Sequence, residues 1–130
     1  MTKSRLLHAM LRVANLERSL AFYREFFDLQ ELRRIELVAP TRTLVFIAPT
    51  DANAGDMQLE LWHEPECRPA NAVQPNAGHV GIGVSDIVTC VEQLRAKGVP
   101  ILQEPAALRP GGRIIAIITD PDGHEIELLS

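Results

Sequence analysis

The stretch His8-Ala-Met-Leu-Arg-Val13 lies near the start of the chain, and its pattern returns later as His79-Val-Gly-Ile-Gly-Val84. A second pair repeats in the same order, with Gln58-Leu59-Glu60-Leu61 matched by Glu125-Ile126-Glu127-Leu128. All four stretches alternate apolar residues with polar or small ones, as half-buried strands do. Repetition on this scale indicates a duplicated supersecondary unit.

Each copy predicts the same order of elements: a strand, a helix and three further strands. The first copy predicts strands at 6–13, 31–37, 43–48 and 57–62, and a helix at 16–28 capped by Asn15. The second predicts strands at 79–84, 101–104, 113–119 and 125–129, and a helix at 86–97 ended by Gly98. Helical spacing predicts the inward-facing residues Leu16, Leu20, Tyr23 and Phe27 in the first helix and Ile87, Val91 and Leu94 in the second.

The domain organisation follows from the size of the two copies. Two βαβββ modules of this length can hardly bury separate cores, so we predict one α+β domain over residues 1–130. Module one spans 6–64, a linker with three prolines spans 65–77, and module two spans 78–130. We expect the modules to share a core, within one chain or across a dimer, and their curved mixed sheets to enclose a cavity.

Composition limits the classes of function. The formal charge is −4, with acidic and basic residues interspersed, whereas a nucleic-acid binder carries a basic patch. No apolar run approaches the roughly 18 residues of a membrane helix, and Met1–Arg5 is too short and polar for a secretory signal. Cys67 and Cys90 are the only cysteines and form no Cys-x-x-Cys motif, so we expect no disulfide framework and a cytoplasmic protein. From the charge and the apolar runs together we expect binding to neither nucleic acid nor membranes.

Strand alternation predicts where the repeated His and Glu residues point. His8, Glu60, His79 and Glu127 all fall on the face away from the apolar stripe of their strands, the face that lines a cavity if the sheets curve. Two imidazoles and two carboxylates suit a borderline divalent metal such as Ni, Co, Zn, Mn or Fe. A single strand His is more often structural, and a single strand Glu is usually solvated. The matching order and parity in both copies favour a metal site.

Several motifs together resemble glyoxalase I (lactoylglutathione lyase), a family within the vicinal oxygen chelate superfamily. The resemblance covers nearly the whole chain in the correct order. It rests on His8-Ala-Met-Leu-Arg-Val13, Phe22-Tyr23, Leu59-Glu60-Leu61, Gly78-His79-Val80-Gly81 and Asp120-Pro-Asp-Gly-His-Glu-Ile-Glu-Leu128. It implies the vicinal oxygen chelate fold.

The resemblance also implies a metal centre and an assembly. His8, Glu60, His79 and Glu127 match the four metal ligands of the family one for one. A His in the first position is similar to the nickel- or cobalt-activated bacterial type, with zinc as the alternative. The family is usually a homodimer in which two chains hold each metal, which implies His8 with Glu60 from one subunit and His79 with Glu127 from the other.

The implied reaction detoxifies methylglyoxal, a small-molecule substrate, by isomerising its hemithioacetal with glutathione to S-lactoylglutathione through a metal-bound enediolate. Glu127 matches the principal base, and Glu60 is placed to move the proton on the opposite face. Arg12 matches a glutathione-contacting residue. Arg113 either binds the glycyl carboxylate or is plain surface charge, and Trp62 either walls the substrate pocket or packs structurally.

Two features depart from the family. Glu64 stands where the family often has an Asn that holds glutathione, and Arg109-Pro-Gly-Gly112 replaces a Lys-bearing substrate loop. Other members of the superfamily therefore remain as alternatives: an epimerase, an extradiol dioxygenase, a thiol transferase or a metal-free drug-binding resistance protein. The dioxygenase and the transferase need only three ligands, which leaves Glu60 surplus.

Overall fold

The computed structural model describes residues 2–65 and 78–130, and eight strands and two helices lie within these ranges. The chain divides into two compact units, Met1–Ala70 and Asn71–Ser130. The first contains β1 (His8–Arg12), α1 (Leu16–Phe27), β2 (Leu29–Val38), β3 (Thr41–Pro49) and β4 (Gln58–His63). The second contains β5 (His79–Gly83), α2 (Ile87–Ala96), β6 (Ile101–Ala107), β7 (Ile114–Thr119) and β8 (Glu125–Leu129).

Both units have the same sheet topology. The strand order is β1-β4-β3-β2 in the first unit and β5-β8-β7-β6 in the second. In each sheet the first and last strands of the unit pair in parallel, and the other neighbours are antiparallel. The predicted α+β class with two βαβββ modules is confirmed. The predicted linker 65–77 lies outside the described residues except for Pro65, so the module boundaries there stay a prediction.

Capping residues set the ends of both helices. The Asn15 side chain accepts a hydrogen bond from the Arg18 N–H at 3.0 Å and begins α1 as predicted. Asp86, which was expected to be the first residue of α2, is its N-cap and accepts from Thr89. Gly98 ends α2 with φ 79°, a left-handed conformation that glycine adopts without strain. The predicted stop at Gly98 is therefore confirmed.

The core of each unit lies between its helix and one face of its sheet. In α2 the predicted inward residues Ile87, Val91 and Leu94 are buried. In α1 the prediction was partly wrong, because Leu20 and Phe27 are only half-buried. The residues that α1 buries are Leu16, Ser19, Phe22 and Tyr23. The reason is an aromatic cluster in which the Phe22 ring packs edge-on against Tyr23 and Phe27 and displaces the buried stripe.

Strand β6 is longer than predicted. The sequence predicted a strand over 101–104, and the next residue, Pro105, cannot donate a hydrogen bond to a neighbouring strand. In the structure the pairing with β7 shifts register between Gln103 and Ala106 and then continues to Ala107. Since β6 is an edge strand of its sheet, Pro105 needs no partner on its outer side, and the strand tolerates it.

Candidate metal and substrate site

The first candidate pair is His8 with Glu60, both in the first unit. The parallel pairing of β1 with β4 sets His8 opposite Gln58, so Glu60 is one step along on the same face. The His8 Nε2 atom lies 3.0 Å from a Glu60 carboxylate oxygen. The side chain of Glu60 is 6% exposed, whereas that of His8 is 42% exposed. A buried carboxylate therefore holds an accessible imidazole, which also packs edge-on against Phe46.

The second pair, His79 with Glu127, repeats this geometry in the second unit. The parallel pairing of β5 with β8 sets His79 opposite Glu125, so Glu127 is again one step along on the same face. The His79 Nε2 atom lies 2.6 Å from a Glu127 carboxylate oxygen. Their side chains are 46% and 17% exposed, so this carboxylate is the more accessible of the two.

The structure thus brings together His8 with Glu60 and His79 with Glu127, at the same offset between the same two strands of each sheet. The neighbouring Leu61 and Leu128 are fully buried on the opposite faces. Among residues 2–65 and 78–130, no group of three or more His, Cys, Asp or Glu side chains is close enough to hold a metal ion. Each unit by itself therefore offers one imidazole and one carboxylate.

A polar cluster lies beyond Glu60 on the same face of the first sheet. Arg12 is opposite Trp62 in the pairing of β1 with β4, and its guanidinium carbon lies 5.5 Å from the centre of the Trp62 ring. The Trp62 indole N–H donates to Glu64, and Arg12 Nη1 lies 3.6 Å from the same Glu64 oxygen. The Glu64 side chain is only 13% exposed. Glu64 is therefore fixed between Arg12 and Trp62.

Arg42, on β3, belongs to this cluster and was missed by the sequence analysis. Its guanidinium carbon lies 5.0 Å from the centre of the Trp62 ring. Its Nε atom is buried and has no hydrogen-bond acceptor among the described residues. Alternation along β3 places Arg42 on the face of Leu44 and Phe46, and this parity was the signal available in the sequence.

A cavity of about 210 Å³ opens beside His8 in the first unit. Arg5, Arg33 and Asp56 supply the charged groups of its lining. The Arg33 guanidinium carbon lies 4.0 Å from the centre of the Phe46 ring, a cation–π contact that links the cavity to the His8 side chain.

Arg113, His63 and His124 each contact a polar atom of their own unit. Arg113 is exposed and donates through Nε to the Ser130 carbonyl at 2.8 Å, so its predicted contact with substrate stays a prediction. His63 Nδ1 lies 3.1 Å from the Val13 carbonyl oxygen, and the His124 N–H donates to Asp120. Burial raises the pKa of the half-buried Cys90 thiol, which makes it a poor nucleophile.

The two βαβββ units, each with a His–Glu pair at the same place in its sheet, define a class of duplicated α+β proteins. The family model of the Glyoxalase/Bleomycin resistance protein/Dioxygenase superfamily matches residues 5–128, so the chain belongs to this superfamily. The predicted family and fold are therefore confirmed.

Relatives narrow the family to its glyoxalase branch. A probable lactoylglutathione lyase from Vibrio cholerae is 35% identical over 99% of this chain and 92% of its own length. A lactoylglutathione lyase from Haemophilus influenzae is 34% identical over 95% of this chain and 90% of its own length. The solved structure of the trypanothione-dependent glyoxalase I of Leishmania major superposes with a TM-score of 0.84. It is 34% identical and covers 98% of this chain and 87% of that one.

The predicted enzyme class, a lactoylglutathione lyase-like carbon–sulfur lyase, is confirmed by these relatives, and they support a glyoxalase-like function. Neither helix in the described part of the chain is long and apolar enough to cross a membrane.

Proposed function

We propose that the protein is a metal-dependent lyase that isomerises the hemithioacetal of methylglyoxal and glutathione to S-lactoylglutathione. The observation that carries the proposal is the duplicated His–Glu pair, because one accessible imidazole and one carboxylate recur at matching positions of both sheets. The named relatives support the reaction, since they are lactoylglutathione lyases and a glyoxalase I.

The donor set fits a divalent cation. In each pair a ring nitrogen and a carboxylate oxygen lie within 3.0 Å of each other. Little movement is therefore needed for the two donors of a pair to bind the same ion. We propose His8, Glu60, His79 and Glu127 as the ligands, with nickel or cobalt preferred and zinc as the alternative. When bound, the cation supplies Lewis-acid stabilisation of the negative charge that develops on the substrate oxygens.

The reaction moves one proton between neighbouring carbons, and a carboxylate has to carry it. The base takes the proton from the carbon that bears sulfur, and the neighbouring carbonyl carbon receives one. We assign the base to Glu127, because its side chain is 17% exposed and can reach a bound substrate. Glu60, at 6% exposure, is assigned to the proton on the opposite face of the substrate.

The thiol part of the substrate is assigned to the surface that Arg12 and Trp62 form. The Arg12 guanidinium offers paired N–H donors to a carboxylate, and Trp62 offers an aromatic wall beside it. Arg113 remains a second candidate cation for the far end of glutathione. We further propose a homodimer in which His8 and Glu60 of one subunit act with His79 and Glu127 of the other.

The test is turnover of the methylglyoxal–glutathione hemithioacetal, followed by thioester absorbance, with metal-stripped protein refilled with Ni, Co or Zn. We expect metal-dependent activity that falls by a factor of at least about 100 in Glu127→Gln, because positioned proton transfer contributes factors of that size. The variant keeps the size of the side chain and removes its basicity.

The matched control is Glu125→Gln, one step away on the same face of β8. The repeat places Gln58 at the corresponding position of the first unit, opposite His8 as Glu125 is opposite His79, so the chain already accepts Gln there. We expect this variant to keep near wild-type activity. Metal binding without turnover on any refilling, or equal activity in both variants, would reject the proposed reaction or its base.

A further inference from the structure

Arg42 has no carboxylate partner among the residues that the structure describes. Its Nε atom is buried without a hydrogen-bond acceptor, and no carboxylate among residues 2–65 and 78–130 lies within 4.0 Å of its guanidinium. Burying a polar group without a partner is costly, and the great majority of buried polar side-chain atoms have one. A half-buried arginine whose Nε has no acceptor among the described residues is therefore a candidate for binding a ligand.

The neighbouring carboxylates are already engaged. Glu60 lies against His8, and Glu64 accepts from the Trp62 indole and lies near Arg12. The contact that Arg42 makes is with the Trp62 ring, which stabilises a cation without neutralising it. Arg12 and Arg42 thus differ in one respect: the first has a carboxylate beside it and the second has none among the described residues.

Register fixes how far Arg42 lies from the reacting centre. Along β3, Phe46 is opposite Glu60, Leu44 is opposite Trp62, and Arg42 follows one step further on the same face. Four residues of strand separate Arg42 from Phe46, which is about 13 Å, and the long Arg side chain spans part of that distance. The same face therefore presents the His8–Glu60 pair, then apolar surface, then a cation with no carboxylate partner among the described residues.

We propose that Arg42 binds a carboxylate of the substrate, at the end remote from the carbons that react. The proposal rests on the proposed lyase function and names one determinant of its substrate class. The carboxylate belongs either to the thiol or to the part derived from the 2-oxoaldehyde, and both sources use the same chemistry. A guanidinium binds a carboxylate through charge-assisted N–H donors.

The chain contains a built-in probe for this site. Trp62 is its only tryptophan, and its ring contacts Arg42. Binding of a ligand at Arg42 is therefore expected to change the intrinsic fluorescence of the metal-loaded, full-length protein. Unreactive thioethers give dissociation constants that do not depend on turnover, so this measurement is separate from the test of lyase activity.

Three thioethers separate the two sources of the carboxylate. Comparing the dissociation constants of S-(4-carboxybutyl)glutathione and S-pentylglutathione tests for recognition of a carboxylate on the aldehyde side. Comparing those of S-pentylglutathione and its diethyl ester tests for recognition of the carboxylates of the thiol. We expect wild type to bind the acid of at least one pair about 10- to 100-fold more tightly than its neutral partner. On the aldehyde-side pair this preference should disappear in Arg42→Met. On the thiol pair, where Arg12 is also assigned to a carboxylate, it should fall by about a factor of ten. Both preferences should largely persist in Arg42→Lys, which keeps the charge.

Arg34→Met is the matched control, because it removes a cation from the adjacent strand β2 that is already ion-paired with Glu31 at 2.9 Å. It should leave both preferences unchanged. Thermal unfolding checks that Arg42→Met remains folded. Equal preferences in wild type and Arg42→Met would overturn the proposal, as would a wild type that shows no preference or binds none of the probes. The turnover assay separately reports whether lyase activity is present.

Discussion

Glu64 changes the electrostatics of the surface assigned to the thiol. The family often has Asn at this position, and here a carboxylate lies 3.6 Å from Arg12 and accepts from the Trp62 indole. The carboxylate offsets the charge of the one guanidinium that matches a glutathione-binding residue. On the proposed assignment of the thiol to Arg12, a substrate carboxylate would compete with Glu64 for this guanidinium, which would weaken the binding of an acidic thiol.

We therefore predict that Glu64→Asn lowers the KM for the glutathione hemithioacetal by about three- to fivefold, with little change in kcat. Asn keeps a hydrogen-bond acceptor near Trp62 and removes the negative charge beside Arg12. Steady-state kinetics on metal-loaded protein measures the effect, and Glu36→Gln, an exposed residue of β2, is the control. A rise in KM would mean instead that Glu64 binds the amino group of the substrate.

The sequence was sufficient to pair His8 with Glu60 and His79 with Glu127, because a repeat, a strand parity and a family resemblance pointed to the same residues. It was not sufficient to single out Arg42. A lone Arg in an apolar strand resembles a solvated edge residue, and its neighbours become known only with the pairing of β3 and β4. Cross-strand contacts depend on register, which a sequence does not state.

At the scale of elements, helix α2 depends on a charged cap. The Asp86 carboxylate accepts from both the backbone N–H and the hydroxyl of Thr89, at 3.0 and 2.7 Å. These donors favour the ionised form and hold the pKa of Asp86 below its ordinary value. The helix start is therefore stabilised by a group whose protonation weakens it.

A depressed pKa in the folded state fixes the sign of the pH dependence. The contribution of Asp86 to stability is present above the ordinary aspartate pKa of about 3.9. It is lost as the pH falls through the lower pKa of the folded state. We predict that Asp86→Asn, which keeps a capping oxygen, loses less free energy of unfolding than wild type as the pH falls through this range. Asn15→Asp, which creates the same kind of charged cap on α1, should lose more. Urea titrations at several pH values measure the effect, and an unchanged loss in Asp86→Asn would contradict the assignment.

Helix caps were the features that the sequence predicted best, because Asn15 and Gly98 act through their own backbone surroundings. The buried face of α1 was predicted less well. Helix α1 buries Phe22 more deeply than Leu20 because Phe22 packs against neighbouring rings, and helical periodicity does not report such packing. The extension of β6 past Pro105 likewise depends on its position at the sheet edge.

At the scale of the whole molecule, the proposed dimer makes a prediction that a site within one chain does not. Glu60→Gln and Glu127→Gln are each expected to be inactive alone. If each site takes His8 and Glu60 from one subunit and His79 and Glu127 from the other, a mixed dimer contains one site with all four residues intact. Random reassociation of the two variants should then restore about a quarter of wild-type activity.

The measurement is activity after the two variants are co-refolded, compared with a mixture of Glu60→Gln and His8→Ala. Both changes of the control mixture lie in the first unit, so no intact site forms and no recovery is expected. Failure of the first mixture to recover, with dimers present by sedimentation, would place all four ligands in one chain.

The two units pair their strands in the same register but carry different side chains at matching positions. Where the first unit has Met10 and Arg12 on β1, the second has Gly81 and Gly83 at the corresponding positions of β5. A Cβ added at Gly83 would meet no atom of the described residues within 4 Å, whereas a Cβ added at Gly81 would lie 3.3 Å from the Leu129 side chain. Two long side chains of β1 are therefore replaced by hydrogen atoms on β5. We expect substitutions in β1, β3 and β4 to alter which substrates bind, whereas larger residues on β5 should limit the size of the substrates that bind.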